Sequence, residues 1–184
     1  TKLGLPTDKE YLLFFGLIRD YKGLDLLLEA FGDERFNDRN LHLLVSGEFY
    51  TSRAPCDAII EKNGLADRVT IIAKFIPDDE VADYFNAADL LVQPYKTATQ
   101  SGVTQIAYHF EKPMIVTDVG GLAEMCPDGR VGYVVEPEPV AIADAIIRYF
   151  DATNRAAMQV MIREEKRRYD WGIMVEALLK LAAG

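Results

Sequence analysis

An α/β fold is what this 184-residue sequence predicts: a three-layer sandwich with a parallel sheet of about six strands, helices on both faces and a helical C-terminus. Three observations carry the prediction. Short apolar runs alternate with longer amphipathic segments. The runs are nearly continuously apolar, as strands covered on both faces are. Beyond residue 138 the alternation stops and only helical patterning remains.

Taken in order, the strands read as YLLFF at 11–15, LHLLVS at 41–46, VTII at 69–72, LLVQP at 90–94, MIVT at 114–117 and GYVV at 132–135. Helical patterns fill 22–32, 54–64, 78–88 and 101–110 between them. Gly64 suits a helix C-terminus, and Pro77 followed by three acids suits a helix start. Three further helices follow in PVAIADAIIRYF, NRAAMQVMIREEKRR and DWGIMVEALLKLAAG. In the last of these Trp171, Met174, Val175, Leu178, Leu179 and Leu181 form an apolar set. No repeat, low-complexity stretch or long linker divides the chain, so 1–184 reads as a single domain. With no initiating Met, the chain is expected to be a fragment or a piece made for expression.

Composition narrows the function. Hydrophobic residues are 49% and charged residues 27%, the range of soluble globular domains. No apolar run reaches the ~20 residues that span a bilayer, and no secretory signal is visible. A formal net charge of -9 opposes general affinity for nucleic acid or an anionic membrane. Cys56 and Cys126 match no metal spacing and read as small buried hydrophobes in a reducing compartment. His42 and His109 have no Ser, Cys or acid at catalytic spacing and read as structural. No Walker-type loop and no G-x-G-x-x-G occur, which disfavours nucleotide hydrolysis and nicotinamide binding.

In a parallel sheet of this kind ligands bind beyond the carboxyl ends of the strands, so chemistry belongs in the loops that follow them. GLIRDYKG, residues 16–23, places Arg19 and Lys22 at a strand-to-helix turn. The two cations suit a diphosphate; equally, they suit a solvated loop in which they pair with Asp20, Asp25 or Glu29. YKTATQSGVTQ, residues 95–105, is rich in hydroxyl and amide groups (Thr97, Thr99, Gln100, Ser101, Thr104) and opens a helix near Ser101 or Gly102. It fits an anion held on bare helix amides; the alternative is a plain Ser cap. TDVGGLAE, residues 117–124, reads either as a close backbone approach at Gly120 and Gly121 or as a tight turn with Glu124 facing solvent. In SGEFYTSR, residues 46–53, Gly47 ends a strand, and Glu48 and Tyr50 are candidates to face the same cleft.

In order and spacing these segments resemble the C-terminal, donor-binding domain of retaining glycosyltransferases of the two-Rossmann-domain (GT-B) architecture, family 4 type. The resemblance spans nearly the whole chain. It rests on FFGLIRDYKGLDLLLEAF, LLVSGEF, NGLADRVTIIAKFIPDDEVADYFNAADLLVQPY, EKPMIVTDVGGLAEM and GYVVEPEP. It implies a Rossmann-like fold and transfer of a hexose from a UDP- or GDP-sugar to an acceptor hydroxyl, with no further cofactor and no metal. It places the diphosphate against Lys22, Arg19 and Gly16 and against Gln100, Ser101, Gly102 and Val103. The nucleobase and ribose fall to Ala73, Lys74, Phe75 and Gln105, and the donor sugar to Thr97 and Thr99. It implies an N-terminal acceptor domain in the whole enzyme, a glycan or lipid-linked acceptor, and a cytoplasmic protein peripheral to the membrane in full-length form.

The sequence departs from that family twice. Leu17 stands where the family's arginine follows the loop glycine, with Arg19 two positions on. Counting back from Lys112-Pro113 puts the family's paired glutamates at Thr97 and Gln105, so both carboxylates are missing. A non-catalytic nucleotide-sugar-binding or degenerate partner subunit is therefore the alternative to an enzyme. A phosphorylated receiver domain needs early acidic residues, and this chain has cations in that place.

Overall fold

The computed structural model describes residues 2–169. The final helix expected at 170–184, with Trp171, lies outside the described residues. Six parallel strands are present: β1 (Glu10–Phe15), β2 (Leu41–Ser46), β3 (Val69–Ile72), β4 (Leu90–Gln93), β5 (Met114–Thr117) and β6 (Gly132–Val135). The helices are α1 (Leu24–Phe31), α2 (Ala54–Lys62), α3 (Asp78–Ala87), α4 (Gly102–His109), the one-turn α5 (Leu122–Met125), α6 (Pro139–Asp151) and α7 (Arg155–Lys166). The six expected strands agree with these to within one residue at either end.

The strand order is β3-β2-β1-β4-β5-β6. The chain winds outward from β1 to β3, then returns to the centre and winds out the other way. Between β1 and β4 the winding reverses, and the crevice above that point is where such sheets bind ligands.

Each strand feeds two cores, as the period-2 alternation of side chains requires. Leu12 and Phe14 of β1 face one cluster, built with Leu24, Leu27 and Leu28 of α1 and Ile142 and Ile146 of α6. Tyr11, Leu13 and Phe15 face the other, built with Tyr84 and Phe85 of α3 and Val103, Ala107 and Tyr108 of α4. The three-layer reading is thus realised. Helix α7 serves both, placing Met158 in the first cluster and Ile162 in the second.

One expected element is reshaped. The helix read at 22–32 begins two residues later. Asp20–Lys22 forms a separate 3-10 turn, and Gly23 turns the chain with φ +67° before α1 starts. A methyl group on Gly23 would lie 1.9 Å from the Pro94 carbonyl oxygen, so a side chain there would collide with the end of β4. The turn that carries Lys22 is therefore pressed against the strand that opens the second loop. Both cysteines are buried thiols as expected, and burial pushes Cys56 up to about 11. Among the described residues no helix is long and apolar enough to cross a membrane, and no three His, Cys, Asp or Glu side chains gather as metal ligands.

Candidate functional site

A cleft of about 640 Å³ opens at the reversal point of the sheet, beyond the carboxyl ends of β1 and β4. Gly16 and Lys22 form one wall and residues 97–103 the other. The structure thus brings together eight of the expected residues: Gly16, Lys22, Thr97, Thr99, Gln100, Ser101, Gly102 and Val103.

Lys22 is the central group. Its ammonium lies 5.2 Å from the centre of the Tyr95 ring, near enough for a cation–π contact. It reaches back over Gly16: Nζ lies 3.3 Å from the point a Gly16 Cβ would occupy, and Val103 Cγ2 lies 3.4 Å from that point. Burial lowers its pKa below the ordinary lysine value, and the Arg19 charge lowers it further.

The acids that a solvated-loop reading would give to Lys22 are engaged elsewhere. Lys96 Nζ sits 3.1 Å from Asp20 and 2.8 Å from Asp25, and Lys62 binds Glu29 at 3.2 Å. No ion pair to Lys22 is found among the described residues. A half-buried cation without a carboxylate faces the cleft.

The second wall ends at the first turn of α4. Ser101 precedes that helix in extended conformation, but its hydroxyl does not cap it. Ser101 Oγ turns inward, donating to Gln93 Oε1 at 2.7 Å and meeting Tyr95 Oη at 3.2 Å. Gln93 in turn donates to Thr104 Oγ1 at 3.1 Å. These four groups form a buried polar network beneath the cleft. The consequence is an α4 N-terminus with no side-chain cap, which leaves its partial positive charge facing the open space. A methyl group on Gly102 would touch nothing within 4 Å, so that glycine leaves room directly in front of the bare amides. The Ser cap considered from sequence is replaced by this inward arrangement, because a buried Gln93 amide needs hydrogen-bond partners.

Ser101→Ala is expected to cost about 1–3 kcal/mol by leaving Gln93 short of a donor, yet to keep ligand binding, since the hydroxyl points away from the cleft. Thermal unfolding and ligand titration of the same variant check this. A large loss of binding with unchanged stability would contradict the inward assignment.

Other expected residues lie elsewhere. Arg19 does not line the cleft; its guanidinium stacks 5.0 Å from the Tyr50 ring in a neighbouring hollow. Tyr50, expected to share the cleft with Glu48, is held in that hollow because Ile18 and residues 48–50 exchange backbone hydrogen bonds. Gln105 points away from Lys22 into a separate basic hollow with Tyr108, His109, Arg163, Lys166 and Arg167. Its helical neighbour Ile106 faces the cleft instead. Residues one apart on a helix point about 100° apart, which decides between the two. Ala73, Lys74 and Phe75 are exposed beyond the edge strand β3, outside the lining of this cleft, with Lys74 tied to Glu80 at 2.7 Å. Glu124 is exposed.

Tyr95, Gln93 and Ile106 are cleft or sub-cleft residues that the sequence pattern does not single out, and Leu17, noted only as a departure from the family, also lines the cleft. Only Gln93 carried a signal, as a polar residue inside an apolar strand.

The six-stranded parallel sheet with its reversal point, and the cleft above that point, define a Rossmann-like α/β domain. Comparison with known proteins makes this specific. Residues 9–152 match the family of glycosyl transferases group 1, and the chain belongs to that family. D-inositol 3-phosphate glycosyltransferase 2 of Catenulispora acidiphila is 32% identical over 164 residues, covering 84% of this chain and 38% of its own. Sucrose-phosphate synthase of Thermosynechococcus elongatus superposes with a TM-score of 0.84 at 25% identity, over 99% of this chain and 47% of its own. HepE of Anabaena, in complex with UDP, superposes with a TM-score of 0.81 at 18% identity, over 96% of this chain and 49% of its own. The chain spans less than half the length of the curated relatives it matches.

Proposed function

We propose that this chain is the donor-binding half of a glycosyltransferase, holding the diphosphate of a UDP- or GDP-sugar between Lys22 and the first turn of α4. The observation that carries the reading is the Lys22 ammonium, without a carboxylate partner, facing an uncapped helix N-terminus across a 640 Å³ cleft. A sugar-nucleotide leaving group gains negative charge as its glycosidic bond breaks, and fixed positive groups stabilise that charge. In this reading Lys22 and the α4 amides supply those positive groups. Thr97, Thr99 and Gln100 at the cleft mouth offer hydrogen-bond partners to the donor sugar. Arg19, in the adjoining hollow, adds long-range positive potential. Ala73, Lys74 and Phe75 stay assigned to the nucleobase, whereas Gln105 loses its ribose assignment because it faces the other hollow. The UDP complex of HepE, a protein of the same fold, favours UDP over GDP as the first donor to test.

The acceptor must be held against the anomeric carbon. We assign that task to an N-terminal domain of the whole protein, on the ground that the relatives are more than twice as long. We place the protein in the cytoplasm, where two free cysteines stay reduced. A lipid-linked acceptor would bring it to a membrane surface.

UDP is expected to bind the chain with micromolar to millimolar affinity and to raise its melting temperature. Calorimetry that finds no binding of UDP or GDP at millimolar concentration would overturn the proposal. Gly102→Val is expected to leave stability nearly unchanged, as open space receives the side chain, while weakening UDP about tenfold or more by filling the room before the amides.

Among the described residues no carboxylate lines the cleft, which favours a second reading, a nucleotide-sugar-binding subunit without catalysis. Turnover of a sugar nucleotide by the full-length protein would rule it out.

A further inference from the structure

We propose that Lys96 is a positioning residue for the anion site: it holds Asp20 and Asp25 away from the cleft so that Lys22 meets the ligand unneutralised. This rests on the diphosphate reading of the cleft.

Five charged side chains flank the turn that carries Lys22. They are Arg19, Lys22 and Lys96 on one side of the balance and Asp20 and Asp25 on the other, leaving one unit positive. Glu29, the next acid along, is held by Lys62 and by Asn63 Nδ2 at 3.2 Å. In a chain of formal net charge -9, that local surplus is what makes the mouth attractive to an anion. Lys96 supplies it, and its geometry is specific. Nζ bridges both carboxylates, at 3.1 Å to Asp20 and 2.8 Å to Asp25, and the side chain is only 32% exposed. Burial alone would lower the Lys96 pKa; the hydrogen bonds that Lys96 donates to Asp25 and Asp20 outweigh it and hold it above the ordinary value. Its backbone N–H donates to the Tyr21 carbonyl at 2.7 Å, fastening β4's exit to the turn beside Lys22. Lys96 therefore comes from the second wall of the cleft and grips the first.

Without Lys96 the two carboxylates are released two residues before and three residues after Lys22, and the local balance falls to zero. At protein-surface dielectric, one unit charge about 10 Å from a ligand changes its affinity by roughly tenfold.

The test measures UDP affinity by calorimetry, and the Lys22 side-chain titration by NMR, in four proteins. These are the unaltered chain, Lys96→Met, Lys96→Arg, and Lys96→Met combined with Asp20→Asn and Asp25→Asn. Lys96→Met is expected to weaken UDP about tenfold and to raise the Lys22 pKa. Lys96→Arg is expected to stay within about threefold of the unaltered chain, and the triple variant to recover both affinity and titration. A merely structural brace would not be rescued by removing the two acids. Unchanged affinity in Lys96→Met, or a triple variant as weak as Lys96→Met, overturns the proposal. Should the unaltered chain not bind UDP, the nucleotide reading fails. The Lys22 titration then decides this inference alone, and a pKa that does not move in Lys96→Met refutes it.

Discussion

Lys22→Met is expected to raise the melting temperature and to cost about 10- to 100-fold in UDP affinity, the value of one charge-assisted contact. The two effects share one cause. Lys22 is a half-buried cation over the Tyr95 ring, and no carboxylate pairs with it among the described residues. The nearby acids are bound to Lys96 and Lys62, and burial depresses its pKa. Such a group is held in a state that suits a ligand and burdens the empty fold. Methionine keeps the contact with the ring and removes the desolvated charge. A gain of about 1 kcal/mol, or roughly 2–4 °C for a chain of this size, follows.

The pH dependence has a definite sign. The folded pKa of Lys22 lies below the unfolded value, so the folded state binds fewer protons and stability rises with pH between the two. The advantage of Lys22→Met is therefore full at neutral pH and shrinks as pH rises through the lowered Lys22 pKa. Thermal unfolding across that range, with UDP titrations at neutral pH, checks both halves. A destabilised variant that binds UDP normally would remove Lys22 from the site.

Gly120→Ala is expected to destabilise the chain by about 2–4 kcal/mol, combining overpacking with a left-handed backbone, and to weaken UDP binding as well. Gly120 has φ +53°, and a methyl group there would lie 1.6 Å from the Ala98 carbonyl oxygen. Neither group is a flexible side-chain end, so backbone must move. Its neighbour Gly121 donates its N–H to the Thr99 carbonyl at 3.1 Å. The TDVGG turn is thus the outer support of the 97–102 wall, and displacing it displaces the groups that face Lys22. The close approach read from its two glycines is real, and its occupant is protein backbone. A melting temperature within a degree of the parent would contradict this account, as would a loss of stability with UDP affinity intact.

Much of the fold was legible because its signals are local. Apolar runs such as LHLLVS and MIVT end where the strands end, and Pro77 and Gly64 mark helix boundaries by backbone geometry alone. The start of α1 was misplaced because Gly23 bends the chain in response to Pro94, which lies 71 residues away and leaves no trace in the local pattern. The same division holds at the site. Lys22 and the run 99–103 announce themselves by following strand ends. Gln105 and Arg19 line hollows other than the cleft, and a loop or helix position alone does not say which hollow a side chain enters. Tyr95 and Lys96 were missed because their roles depend on partners in the first loop, a sequence separation that no periodicity encodes. Above all, the sequence offers acids at 20, 25 and 29 to pair with Lys22, and only the fold shows them taken.

Amide and lysine side-chain NMR mapping of the chain during UDP titration decides whether Lys22 and the start of α4 hold the nucleotide. The amides of Gly16, Gly102 and Val103 and the Lys22 ammonium are expected to shift together and saturate with one affinity. Shifts confined to the basic hollow around Gln105 and Arg163, with Lys22 and Gly102 unmoved at saturating UDP, would contradict it.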